Sequence, residues 1–165
     1  MRALLLLASA LALSGCGLRP LYSGGASGPV QSVLSSVQVA PIEGQSGWLV
    51  SNALRDRLSL GQDAAARYRL EVRLDERIAG LGVRSDDSVS RERLTLRARY
   101  QLVDLTNGTV VLDATAGSDA GIDVVGSEYA TIAAERTALE RLSGIVADQI
   151  VARVARYANA TPAAQ

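Results

Sequence analysis

The plainest pattern along the chain is a two-residue alternation in its middle. Tyr68, Leu70, Val72 and Leu74 alternate with Arg67, Arg69, Glu71, Arg73 and Asp75. Successive strand side chains point to opposite faces, so this predicts a half-buried strand over 68–78. A second alternation sets Leu94, Leu96, Ala98, Tyr100 and Leu102 against Arg93, Thr95, Arg97, Arg99 and Gln101. Asn107-Gly108 follows, before Val110-Val111-Leu112; both residues tolerate positive φ, which is the signal of a tight hairpin. The strand after it is expected to end near 116. A shorter first strand is expected at 33–40 (VLSSVQVA), ended by Pro41. Loops are expected at 44–47, 79–90 and 117–126, the last with Ile122, Val124 and Val125 packing down.

Two stretches carry a helical period instead. Val50, Ala53, Leu54 and Leu58 recur at helix spacing after Trp48, with Gly61 as a stop. Ser127 is a suitable N-cap for a long helix opening with Glu128, whose charge suits the positive end of the helix dipole. Ile132, Leu139, Leu142, Val146, Ile150, Val154 and Tyr157 form its apolar stripe. The predicted order is β-α-β-β-β-α: an α+β fold, a two-layer α/β sandwich of a four-stranded mixed sheet with two helices on one face. A right-handed crossover makes the first two strands parallel, and the last three form an antiparallel meander. The other sheet face is left bare.

The N-terminus reads differently. Met1-Arg2 precedes an apolar run over 3–13, too short for the roughly 20 residues that span a bilayer but in proportion for a secretory signal. It ends in Leu13-Ser14-Gly15-Cys16, which resembles the lipobox of bacterial lipoproteins. The resemblance implies that residues 1–15 are removed and that Cys16 is the lipid attachment site, tying the protein to a membrane through its acyl chains. Several chains hold a protein where one does not, each buried methylene adding about 0.8 kcal/mol. Gly17 in place of Asp implies the outer membrane, on its periplasmic side, by the sorting pattern of enteric lipoproteins. Residues 16–30, rich in Gly, Ser and Pro, read as the lipidated N-terminus and a flexible tether. A single domain is expected over 31–158, and a disordered tail over 159–165.

Composition then removes whole classes of chemistry. There is no His and only one Cys among 165 residues, so neither an imidazole-based triad nor an internal disulfide can be built. No enzyme, metal or cofactor is expected, although catalysis by carboxylates alone stays conceivable. Asp86-Asp87 reads as a solvated turn rather than a metal site, and Trp48 as a packing residue at the helix start rather than a ligand platform. Basic and acidic residues balance at 17 each, which argues against a nucleic-acid partner. Every basic side chain is Arg.

Local charge is less even. The outward positions of strands two and three hold Arg67, Arg69, Arg73, Arg77, Arg91, Arg93, Arg97 and Arg99 against Glu71 and Asp75, and the fourth strand adds Asp113. Like charges about 5 Å apart across a sheet destabilise it unless something intervenes. Two readings stand: a solvated face with arginine stems over the strands, or a face that meets an anionic partner through guanidinium forks.

The residues also resemble a known family. The lipobox is followed by Cys16-Gly17-Leu18-Arg19-Pro20-Leu21-Tyr22, similar to a C-G-hydrophobic-x-P-L-Y opening. Ala98-x-Tyr100-x-Leu102-x-Asp104 with Gly108, and Ser127-x-Tyr129-Ala130 continuing through Ala134-Glu135, Ala138, Arg141, Gln149-Ile150 and Arg153, match two further segments. Together these resemble the lipopolysaccharide-assembly lipoprotein LptE family in its alphaproteobacterial form. The resemblance implies a two-helix, four-strand sandwich that plugs the LptD outer-membrane β-barrel, helps it fold and binds lipopolysaccharide. It also implies a basic ligand site, for which Arg91, Arg93, Arg97 and Arg99 are the candidates. The alternative is an auxiliary lipoprotein of a lipid-transport ABC system, which would also carry a lipobox and a small α/β domain.

Overall fold

The computed structural model describes residues 28–58, 65–83 and 89–160. The signal and lipobox calls, the Cys16 opening, Asp86-Asp87 and the end of the tail lie outside them. The elements run α1 (Pro29–Leu34), β1 (Val37–Val39), α2 (Gly44–Leu58), β2 (Tyr68–Val83), β3 (Val89–Asp104), β4 (Thr109–Asp123) and α3 (Glu128–Ala160). The sheet order is β1-β2-β3-β4. β1 is parallel to β2, and β2, β3 and β4 form the antiparallel meander.

The alternation sorts the sheet as its period requires. Leu70, Val72, Leu94, Leu96, Ala98, Tyr100 and Leu102 are buried beneath the helices. The intervening arginines of β2 and β3 are exposed. α3 lies over β3 and β4, while α2 and α1 pack beside it on the same side. Leu139, Leu142, Val146, Ile150 and Val154 all reach the core, as do Val50, Leu54 and Leu58 of α2. Tyr68 meets Tyr157 edge-to-face at a 6.4 Å centroid separation. Gly108, at φ +71°, closes the β3–β4 turn as its Asn-Gly signal predicts.

Several expectations are corrected. Helix α1 takes up Val33 and Leu34, expected in the first strand, and adds a third helix to the two predicted. Val30 and Leu34, four apart, are both buried against the core, so the folded body begins inside the stretch read as tether. β1 keeps only Val37–Val39. α2 starts at Gly44 rather than Trp48, since Gly44 itself reverses the chain with φ +82°. β2 continues to Val83 and β3 begins at Val89, both inside the loop expected at 79–90, of which 84–88 lie outside the described residues; β4 continues to Asp123, inside the loop expected at 117–126. Pairing explains this: Arg91 and Arg93 of β3 sit between Leu81 and Ala79 on one side and Asp123 and Gly121 on the other. Cross-strand partners outweigh the weak strand propensity of Gly, Ser and Asp. α3 continues to Ala160, past the expected tail boundary. Trp48 is 63% exposed, so the packing role expected of it is not met. Ile132, expected in the buried stripe, is 40% exposed.

Candidate functional site

The bare face of the sheet is where the arginines gather. Register places Arg69, Arg73 and Arg77 of β2 and Arg91, Arg93, Arg97 and Arg99 of β3 on one surface. It also adds what the short fourth strand of the sequence reading lacked. Because β4 extends to Asp123, Asp119 and Asp123 join Asp113 on that surface. The surface is therefore a ladder of paired charges. Arg91 meets Asp123 at 3.0 Å, Arg97 meets Asp119 at 3.7 Å, and Arg99 meets Asp113 at 3.2 Å. On β2, Arg69 pairs with Glu71 at 2.8 Å and Arg77 with Asp75 at 3.1 Å.

Such exposed pairs contribute about 0–1 kcal/mol each. Their main effect here is to cancel charge. Gln101 donates to Asp113 at 2.8 Å beside Arg99. Hydrogen bonds from Arg99, then from Gln101, hold the Asp113 carboxyl below the usual carboxylate range, and Asp113 in turn raises Arg99.

Two arginines stand outside the ladder. Among the described residues no acid lies within ion-pair distance of Arg73 or Arg93. Arg73 sits directly opposite Arg99, two like charges on neighbouring strands, while Arg93 lies between Ala79 and Gly121. An open hollow on this face is walled by Arg73, Arg97 and Arg99, with Thr115 and Gly117 beside them. The four arginines named from sequence all share the face, and among the described residues only Arg93 of the four has no carboxylate partner. Arg73 was missed as a candidate. Its neighbours Glu71 and Asp75 look like counter-charges in the sequence, yet each is bound to another arginine.

The edge of the hollow is set by α3. Gln149 accepts from the Gly117 N–H at 3.0 Å and donates to its carbonyl at 3.3 Å. The side-chain amide thus occupies the outward backbone groups of the edge strand. No group of three or more metal-ligating side chains exists among the described residues, and no described helix is long and apolar enough to cross a membrane.

Against this geometry, the sequence model of the LptE family, described as lipopolysaccharide-assembly, matches residues 34–154. The chain belongs to the LptE family. A Caulobacter crescentus protein identified as a candidate lipoprotein has a similar structure, with 30% identity and a TM-score of 0.68, covering 82% of this chain and 100% of its own. Two more distant structures share the LptE fold. The rare lipoprotein B from Shewanella oneidensis matches at 13% identity and a TM-score of 0.59, over 73% of this chain and 92% of its own. A minor lipoprotein from Acinetobacter baumannii matches at 16% identity and a TM-score of 0.59, over 79% and 97%. Comparison with curated proteins gives no match. The LptE match spans both the arginine-bearing strands and nearly all of α3.

Proposed function

We propose that this LptE-family chain is an outer-membrane lipoprotein, exported with residues 1–15 as its signal and anchored by acyl chains on Cys16. It acts as plug and partner of an LptD-like β-barrel in assembling lipopolysaccharide at the outer leaflet, without catalysing a reaction. The family match over the folded body carries this reading. The sheet face that no described element covers supports it, because charged strands left open there are suited to a partner's wall or an anionic lipid. Arg91, Arg93, Arg97 and Arg99 are the proposed contacts for lipopolysaccharide, with Arg73 added on the grounds of its unpaired charge.

Affinity purification of the native protein from outer membranes tests the reading. A large barrel protein in stoichiometric amount is the expected outcome, together with acyl groups on Cys16 by mass spectrometry. A free monomer, or depletion that upsets phospholipid balance while lipopolysaccharide export continues, contradicts it. In a binding assay, Arg93→Ala combined with Arg97→Ala and Arg99→Ala is expected to weaken lipopolysaccharide binding about tenfold, roughly 1.4 kcal/mol. The salt sensitivity should fall as well, because screened attraction between exposed charges is what the variant removes.

A further inference from the structure

On the helix side of the sheet, a groove between α3 and the β4 edge holds a second group of arginines. Small residues open it. Tyr100 of β3 has Ala114 as its partner on β4, and Ala152 of α3 lies on another wall. Neither methyl group fills the space beside the ring, which leaves a groove of about 510 Å³, a size suited to a small ligand. Arg153 and Arg156 line it from α3 and are exposed. Residues three apart on a helix are neighbours, so the two cations repel. Among the described residues neither has an acid within ion-pair distance, and 149–160 contains no Asp or Glu. Neither lies in the last turn of α3, where the helix dipole favours a cation. The fold gains nothing from placing them together.

The rest of the polar lining consists of groups that can donate. Thr115 brings a hydroxyl from β4. Gln149 accepts from Gly117 through Oε1 and gives one amide hydrogen to its carbonyl, so its second amide hydrogen is what it has left. Tyr100 is only 2% exposed, and among the described residues its hydroxyl has no hydrogen-bond partner. A buried donor without an acceptor costs free energy. Burial pushes this hydroxyl up, while Arg153 and then Arg156 act on it in the opposite sense. A neutral donor therefore shares the groove with two guanidinium groups, and an acceptor for all of them is missing from the chain itself.

We propose that this groove binds a phosphate group, with Arg153 and Arg156 as forks on its oxygens and Tyr100, Thr115 and Gln149 donating from the strand side. Terminal phosphate oxygens accept from several directions, whereas a planar carboxylate satisfies a single fork. Such a group arrives on a lipid head or free in solution, and chain geometry favours the lipid. The Ser36 carbonyl, just past α1, accepts the Tyr68 N–H at 3.1 Å. Tyr68 in turn meets Tyr157, the residue after Arg156. The described chain therefore begins at the same end of the molecule as the groove. Cys16 lies twelve residues before Gly28, a span of at most roughly 40 Å, so acyl chains on Cys16 keep a membrane surface within reach. The lipid source rests on the anchor proposed above; the phosphate site does not.

Inorganic phosphate titrated into the full-length chain tests the site, followed through the amide NMR signals of 114–115 and 149–156. Saturable shifts are expected. Arg153→Gln combined with Arg156→Gln should weaken phosphate affinity about tenfold or more. Tyr100→Phe, which keeps the ring, should weaken it about fivefold. Arg136→Gln combined with Arg141→Gln removes the same charge from exposed positions of the same helix and is expected to leave affinity unchanged. A second arm places the acylated chain on vesicles of phosphatidylglycerol with phosphatidylcholine, or of phosphatidylcholine alone, and reads hydrogen exchange over 149–156. Greater protection on the phosphatidylglycerol vesicles, lost in the Arg153 and Arg156 double variant, assigns the site to lipid heads; equal protection assigns it to free phosphate. An absence of saturable shifts overturns the proposal, as do shifts that survive the double variant or weaken equally in the Arg136 and Arg141 control. A chain that carries no acyl groups by mass spectrometry contradicts the anchor alone, and the phosphate titration still decides the site.

Discussion

At Gly117 a side chain would have nowhere to go. A Cβ there would stand 2.5 Å from Cδ and 2.7 Å from Nη1 of Arg97, and 2.9 Å from the Leu96 carbonyl. Arg97 can swing aside, but the carbonyl belongs to β3 and cannot. Gly117→Ala is therefore expected to lower stability by about 1–3 kcal/mol, the range for overpacking, measured by urea denaturation. Arg97→Ala in the same chain should recover part of the loss, because the two sites are in contact and couple. Asp104 is a second residue whose environment the turn creates. It accepts the Thr106 N–H at 2.8 Å and lies 3.8 Å from Arg67. The Thr106 bond first, and Arg67 to a lesser degree, depress its carboxyl below the usual range. The linked stability is complete above the unfolded carboxylate's pKa and is lost as pH falls through the lower folded one. Asp104→Asn should flatten the acid limb of the stability–pH curve, which thermal melts at stepped pH would reveal.

Among the elements, α3 contributes the largest share of the core. Its 33 residues make a rod of about 50 Å, close to the length of the 16-residue strands beneath it. Ile150 is fully buried, so Ile150→Ala is expected to cost about 2–5 kcal/mol, seen as a lowered urea midpoint with an unchanged slope. This helix was legible in the sequence, as was β3, because each keeps a single period over its length. Only Ile132 departs from the stripe. α1 was not legible: six residues with Val30 and Leu34 as its buried pair resemble a strand fragment as much as a helix. The upper half of β4 was not legible either. Gly117, Ser118, Asp119 and Gly121 have turn composition, and they become strand because β3 offers a paired edge along their whole length.

For the molecule as a whole, the extension of β4 changes the character of the candidate site. A short fourth strand would leave a strongly basic face with Asp113 alone from β4; the long one adds Asp119 and Asp123, so that Asp113, Asp119 and Asp123 stand against Arg99, Arg97 and Arg91. Among the described residues, Arg93, named from sequence, and Arg73, which was not, are left without an acid partner. The covered and open sides of the sheet, the helix stripe and the hairpin turn follow from local order alone. Each is a periodicity or a short motif that acts over a few neighbouring residues. Strand order, register and the pairing of charges depend on residues tens of positions apart. Only packing decides which acid lands beside which arginine, because an exposed ion pair is too weak to dictate the register that forms it.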